Sequence, residues 1–316
     1  MNRLSTYFFT RRAVGYAGLL LVLPFLAVAQ TPSDAWMMKQ GQACLALTYD
    51  YGAFDRYWEG TYLRSNETIA TVSRQTAMGM VALGLTDKLN AYVGVPYIHT
   101  QSSEPNGGKF QGASGFQDLT LALKYEFIRK VMGPGKLSLF AAGGYAAPIS
   151  RYLSDYRPYS LGNGTTEWSL RGMANYRSNL GLYGQAMAGY LARGLTKAER
   201  DYYYNNGSYY TAWMDVPSAW EYNLAAGMWL MKNSLKLEVG YYALRSTSGD
   251  DIRAYNAAQP TNRVDFSQAR FSAQYYFKSV KGLGLLAYSS QVLEGRNTGK
   301  LALVGGGLTY QFPVWQ

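Results

Sequence analysis

The sequence predicts an all-β fold: a twelve-stranded antiparallel transmembrane β-barrel of the outer-membrane type. Three observations carry that expectation. Apolar and polar residues alternate with period two over runs of ten or more residues, the pattern of strands with one greasy and one polar side. The connections between these runs alternate short and long, as periplasmic turns and outer loops do. An export segment comes first, and after it no apolar run approaches the roughly 20 residues that a spanning helix needs.

The export segment occupies residues 1–29. Arg3, Arg11 and Arg12 precede an apolar run from Ala13 to Leu26, and Ala27-Val-Ala29 supplies the small residues of a cleavage site. This is the three-part pattern of a signal peptide. A membrane anchor fits less well, because the run is short for a span and contains Pro24. Cys44 is the only cysteine in the sequence. It lies too far past the cleavage site for a lipoprotein anchor and has no partner for an internal disulfide. Residues 30–42 are polar apart from Trp36, Met37 and Met38. Two readings stand open there, a disordered lead-in and a short plug inside the fold. The barrel is expected over 43–316.

Alternation and flanking breakers place strands at 43–52, 69–85, 88–100, 116–128, 137–148, 166–177, 181–193, 218–231, 235–246, 264–278, 283–293 and 300–312. The plainest is the fourth. Leu119, Leu121, Leu123, Tyr125 and Phe127 share one side; Asp118, Thr120, Ala122, Lys124 and Glu126 share the other. In the eighth, Trp220, Tyr222, Leu224, Ala226 and Met228 oppose Glu221, Asn223, Ala225, Gly227 and Trp229. The second and eleventh alternate poorly; Arg74 sits awkwardly, and a β-bulge is expected there. Long connections fall at 53–68, 101–115, 149–165, 194–217 and 247–263, and the loop near Arg296-Asn-Thr298 is short for its side. An even strand count puts both termini at the short-turn end.

A single apolar side could face a core or lipid. Closing the sheet brings the polar sides together inside and leaves no edge strand, which hydrocarbon does not tolerate. A Lys or Arg on the lipid side near the midplane costs about 2–4 kcal/mol, so a one-residue slip is heavily penalised. A soluble sandwich explains neither the strict alternation of loop lengths nor the sparse charge. Aromatics near strand ends, such as Tyr125, Phe127, Tyr176, Tyr310 and Phe312, fit an interfacial girdle.

The formal charge of +10 contains the three arginines of the signal segment, which leaves +7. Lys88, Arg129, Lys130, Lys136, Arg177, Lys232, Lys278 and Lys281, offset by Asp87, lie in or beside the short turns and account for it. They are expected either to meet anionic headgroups or to keep the turns soluble. No basic run suggests nucleic acid.

The expected lumen lining is Lys124, Glu126, Glu167, Arg171, Asn175, Gln185, Glu221, Asn223, Lys236, Glu238, Arg270 and Gln274. Acids and bases are mixed and can pair across strands. They form either a satisfied polar filling or a lining that selects a solute. Twelve strands lie between the filled small barrels and the open sixteen-stranded porins. The long loops are rich in rings, among them Tyr152, Tyr156, Tyr203, Tyr209 and Trp213, which could rest on the rim or capture an apolar or aromatic solute.

Signs of catalysis are weak. The only histidine, His99, stands three residues before Ser102, and period two puts them on opposite sides. A rim lipase is therefore a distant reading, an omptin-like acidic site lacks neighbours, and no metal-ligand spacing or phosphate loop appears. The expectation is no enzyme, no cofactor and no metal.

Three segments occur in a suggestive order: Leu83-Gly-Leu-Thr-Asp-Lys-Leu89, Val93-Gly-Val-Pro-Tyr97, and Gly115-Phe-Gln-Asp-Leu-Thr-Leu-Ala-Leu-Lys-Tyr125. Together they resemble the outer-membrane barrel family named after the meta-pathway of phenol degradation. The match covers about residues 83–127 and departs from the family's Gly-Asp at Gln117-Asp118. The resemblance implies a channel-like protein that passes hydrophobic or aromatic small molecules without a cofactor. Its partners would be outer-membrane lipid, a small-molecule solute and, during biogenesis in a Gram-negative bacterium, the barrel-assembly machinery. A structural or adhesive barrel with a blocked lumen is the alternative.

Overall fold

A computed structural model of the chain describes residues 31–253 and 258–315. The expected signal peptide lies outside the described residues. Twelve long strands make the wall: β1 (Gln42–Phe54), β2 (Val72–Thr86), β3 (Leu89–Ser102), β4 (Asp118–Met132), β5 (Gly135–Pro148) and β6 (Glu167–Ser178). They continue as β7 (Leu182–Arg193), β8 (Ala219–Leu230), β9 (Leu235–Ser246), β10 (Asp265–Tyr276), β11 (Leu283–Arg296) and β12 (Ala302–Pro313). Each pairs antiparallel with the next, and β12 pairs back onto β1 from Gln42↔Pro313 to Ala53↔Ala302. The sheet is closed.

The alternation read from sequence sets which side is which. Leu170 is 68% exposed, Val304 62% and Leu224 58%, whereas Lys124 is 0%, Glu126 2% and Glu221 4% exposed. Exposed leucines alternating with buried charges invert a soluble protein's pattern. The outer surface therefore suits hydrocarbon and the inner one carries the ions.

Three β-bulges interrupt the ladders; two fall in β2 and β11, the strands that alternate poorly, but not at Arg74, and the third was not expected. In β2 the unpaired residue is Leu85, where Gly84 pairs with Asn90 and Thr86 with Leu89. Arg74 needs no bulge, pairing regularly with Gly52 on one side and Thr100 on the other. It points inward and donates to the carbonyl oxygens of Ser160 (3.4 Å) and Leu161 (2.8 Å) in a loop that enters the barrel. β11 has its bulge at Leu293, between Val292↔Gln268 and Glu294↔Ser267.

The third bulge lies in β4, the strand with the cleanest pattern. Glu126 pairs with Phe140 and Ile128 with Leu139, leaving Phe127 unpaired. Phe127 and Ile128 are both exposed as a result. Arg129 then falls on the side of Glu126, and its Nε lies 2.9 Å from the carboxylate. Strict period two would have sent it outward. Two more of the eight turn-side cations turn inward: Lys136 and Arg177 line an internal cavity with Trp36. Lys88, Lys130, Lys232, Lys278 and Lys281 are exposed at the turns. Headgroup contact is thus open to fewer residues than the sequence count suggested.

The outer connections fold onto the wall. Arg56–Glu59 pairs with Tyr62–Ser65, Leu195–Lys197 with Trp213–Asp215, and Tyr203–Tyr204 with Ser208–Tyr209. Gly112–Phe116 extends the wall by pairing with the outer half of β3.

Leu224→Arg, near the middle of β8 on the lipid side, is expected to destabilise the barrel by about 2–4 kcal/mol. Urea unfolding of the protein reconstituted in lipid vesicles measures it. An inward substitution at the neighbouring position, Ala225→Ser, should change stability little.

Candidate functional site

The interior has three levels. At the short-turn end the segment 31–41 lies within the ring of strands. Trp36 packs edge-on against Tyr183 (5.1 Å between ring centroids) and Trp229 (5.6 Å). Lys236 and Arg177 hold cationic groups 5.6 and 5.7 Å from the Trp36 ring. Met38 is buried with Cys44, Ala82, Tyr92 and Ala122; Ala35 is buried with Phe140, Met173 and Met187. These partners come from strands all round the wall, so the segment occupies the lumen itself. Its polar anchor is Lys124, whose Nζ donates to Thr31 O (2.9 Å), Asp34 O (3.0 Å) and Asp34 Oδ1 (3.0 Å). A wholly buried ammonium is tolerable because its three protons are all met. A cavity of about 550 Å³ remains beside the segment.

The middle level is a network of ion pairs and hydrogen bonds, some of which bridge strands that are not neighbours. Arg171 Nε lies 2.6 Å from Glu221 Oε1, with β7 between them. The intervening residue in register is Gly189. A Cβ there would sit 2.9 Å from Arg171 Cγ and 3.0 Å from Glu221 Oε1, so the glycine lets the pair meet. The same device recurs at Gly305, across which Tyr288 Oη donates to Asp50 Oδ2 at 3.0 Å. Tyr242 donates to Glu221 (3.1 Å), and the Arg270 guanidinium lies 4.1 Å over the Tyr242 ring. Glu238 accepts from Tyr183 (2.7 Å) and pairs with Lys236 at 3.2 Å. Glu167 pairs with Arg193 at 2.8 Å. Asn175, Asn223, Gln185 and Gln274 fall on the same inward faces; Gln185 Oε1 accepts from Ala35 N at 3.3 Å. Space is left within this level. A cavity of about 390 Å³ is bordered by Asp50, Glu238, Arg270 and Tyr288.

The outer level is built by the loop over 149–166, which folds into the mouth. Tyr159 and Leu161 are buried, and Thr100 Oγ1 donates to Tyr159 O at 2.7 Å. Beneath it is a cavity of about 570 Å³ with Phe54, Tyr57, Ile69, Val72, Arg74, Arg157 and Leu161 among its walls. The five rings expected to capture solute do not border it. Tyr152 is structural: its hydroxyl donates to Asp118 Oδ1 (2.6 Å) and accepts from Gly164 N (3.0 Å). Burial, then the Asp118 carboxylate, pushes the Tyr152 phenol pKa up, so it stays neutral. Tyr203 is 6% exposed and stacks on Tyr209 at 5.0 Å within the outer ribbon. Tyr156 packs on Phe110, and Trp213 lies exposed on that ribbon. The ring count of a loop says nothing about which way the loop folds. Asp34 and Arg193 were missed because their partners lie far away in sequence, and Arg157 because nothing local shows that its loop folds inward. The signal for Asp34 was faint, an acid beside an aromatic in a polar lead-in.

Chemistry between His99 and Ser102 is excluded by their placement. Thr100 and Ser102 are buried on the inner face of β3, with Ser102 Oγ bonded to Tyr159 Oη at 2.8 Å. His99 is on the outer face. Among the described residues no group of three metal-ligating side chains occurs.

A family model described as "Putative MetA-pathway of phenol degradation" matches residues 57–285. No curated protein matches the sequence. An outer membrane channel from Pseudomonas putida F1 has a similar fold, with a TM-score of 0.71 at 15% identity over 90% of this chain and 100% of the other. The NanC porin reaches a TM-score of 0.47 at 8% identity, over 84% of this chain and 99% of its own. The translocator domain of the autotransporter NalP from Neisseria meningitidis reaches 0.45 at 13% identity, over 87% and 90%.

Asp34→Ala leaves the buried Lys124 ammonium with carbonyl partners alone. It is expected to weaken docking of the segment 31–41 by about 3–5 kcal/mol. Faster proteolysis of that segment, with the barrel itself still protected, is the readout.

Proposed function

This chain belongs to the family described as the putative MetA-pathway of phenol degradation, and from that premise we propose that it is a channel for passive uptake of small hydrophobic or aromatic solutes across the outer membrane. The observation that carries the reading is the unfilled interior. Cavities of about 570, 390 and 550 Å³ follow one another from the outer mouth to the inner end. A barrel serving only as a scaffold gains by filling such space, since voids forfeit packing energy. Walls of Phe54, Tyr57, Ile69 and Val72 suit an apolar entrant. Along the lumen Glu167 pairs with Arg193, Arg171 with Glu221, and Arg270 lies over the Tyr242 ring, which lowers the barrier a bare charge would present to an uncharged ring.

In this reading the segment 31–41 is the gate. Its displacement would join the inner cavity to the periplasm. Export through the signal peptide of residues 1–29 and insertion by the barrel-assembly machinery of a Gram-negative bacterium complete the picture. A barrel with a permanently blocked lumen is the competing reading, favoured by the extent of packing around Trp36.

Flux of radiolabelled aromatic solutes into protein-loaded vesicles separates the two. The chain is expected to give flux above that of protein-free vesicles, and removal of residues 31–40 is expected to raise it several-fold. If neither form passes any solute tried, the channel reading is lost.

A further inference from the structure

The outer mouth carries an uncompensated cation. Arg157 and Asn163 border both the cavity of about 570 Å³ and a second one of about 200 Å³. The walls of the two include Arg74, Arg157 and Arg193, and among the described residues no Asp or Glu. The sequence Ala254-Tyr-Asn-Ala257 contains no Asp or Glu. Other inward cations have carboxylate or carbonyl acceptors: Arg171 meets Glu221, Arg193 meets Glu167, Lys124 meets Asp34, and Arg74 meets two carbonyl oxygens. Arg157 is in no ion pair among the described residues. Its Nη2 donates to the neutral Asn163 Oδ1 at 2.8 Å, and its Nε is buried with no hydrogen-bond partner among the described residues.

Burial and the neighbouring Arg193 guanidinium push the Arg157 pKa down to about 10. It is still cationic at neutral pH. A buried, charged donor without an acceptor is costly, and a guanidinium presents a planar fork that matches a carboxylate. The cavity also has an apolar and aromatic side, with Phe54, Tyr57, Ile69 and Val72 set among neutral polar residues, and its volume falls in the range of roughly 300–1,000 Å³ typical of ligand pockets.

We propose that the outer cavity is a selectivity site for small aromatic carboxylates, with the carboxylate on Arg157 and the ring against Phe54, Tyr57, Ile69 and Val72. This rests on the channel reading and narrows it: the favoured entrant is an anionic aromatic acid rather than a neutral hydrocarbon. The site lies above the segment 31–41, so it binds at equilibrium whether or not the gate opens.

Benzoate and benzyl alcohol share a ring and differ in charge. Isothermal titration of the detergent-solubilised full-length mature protein with each is the test. Benzoate is expected to bind at least tenfold more tightly than benzyl alcohol. Arg157→Gln is expected to lower benzoate affinity about tenfold or more while moving benzyl alcohol less than twofold. Asn163→Asp keeps the arginine but supplies the missing negative charge, and it should erase the preference in the same way. Retained binding of benzyl alcohol certifies that either variant is folded. Equal affinity for the two probes in the unmodified protein, or an undiminished benzoate preference in both variants, overturns the proposal. Flux of neutral aromatics without any carboxylate preference would remove this proposal and leave the channel standing. Benzoate held at Arg157 in a protein that passes nothing would do the reverse.

Discussion

The pairing of β12 with β1 is the constraint on which everything else depends. An open twelve-stranded sheet would present two edges of unpaired amides and carbonyls to hydrocarbon, each group costing several kcal/mol. Twelve consecutive pairs, from Gln42↔Pro313 to Ala53↔Ala302, remove both edges at once. Closure also divides space into an outside and an inside. Period two then sends every second side chain to lipid and every other one to the lumen, with no further choice for the chain to make.

That division explains the character of the interior. Ionised groups cannot leave the lumen sideways, so they must find partners within it. The same strand or a neighbouring one supplies some of them, as in Lys236 with Glu238 and Arg193 with Glu167. Others reach across an intervening strand, and this demands an absent side chain at the crossing point. Gly189 and Gly305 fill that requirement beneath Arg171–Glu221 and Tyr288–Asp50. Glycine abundance, which the composition shows as a plain count, thus has a local cause at these positions. The segment 31–41 obeys the same rule: its Asp34 answers Lys124, and its Trp36 covers two cations.

Against this background of matched charge, the outer mouth is distinct. The loop over 149–166 folds inward and brings Arg157 close to Arg193, itself already paired with Glu167. Loops are where function departs from the economy of the scaffold. A barrel that pairs Lys124 and Arg171 with carboxylates deeper inside, and gives Arg157 only Asn163 beside a cavity at the mouth, has a chemical polarity from mouth to base.

Strand number, order and sidedness were legible in the sequence because they follow from a local period. Leu121 and Lys124 reveal their faces through the residues beside them. The positions of the bulges were not legible: Arg74 looked irregular and is regular, while the faultless run ending at Phe127 conceals the bulge that turns Arg129 inward. The lining residues could be named from parity, but their partners could not, since Arg171 and Glu221 stand fifty positions apart. Sequence by itself determined a closed barrel with greasy sides outward, because alternation is a property of neighbours along the chain. Only tertiary structure decided that the lead-in fills the inner end and that Arg157 borders the outer cavity. Those outcomes depend on contacts between remote segments, and no local pattern encodes them.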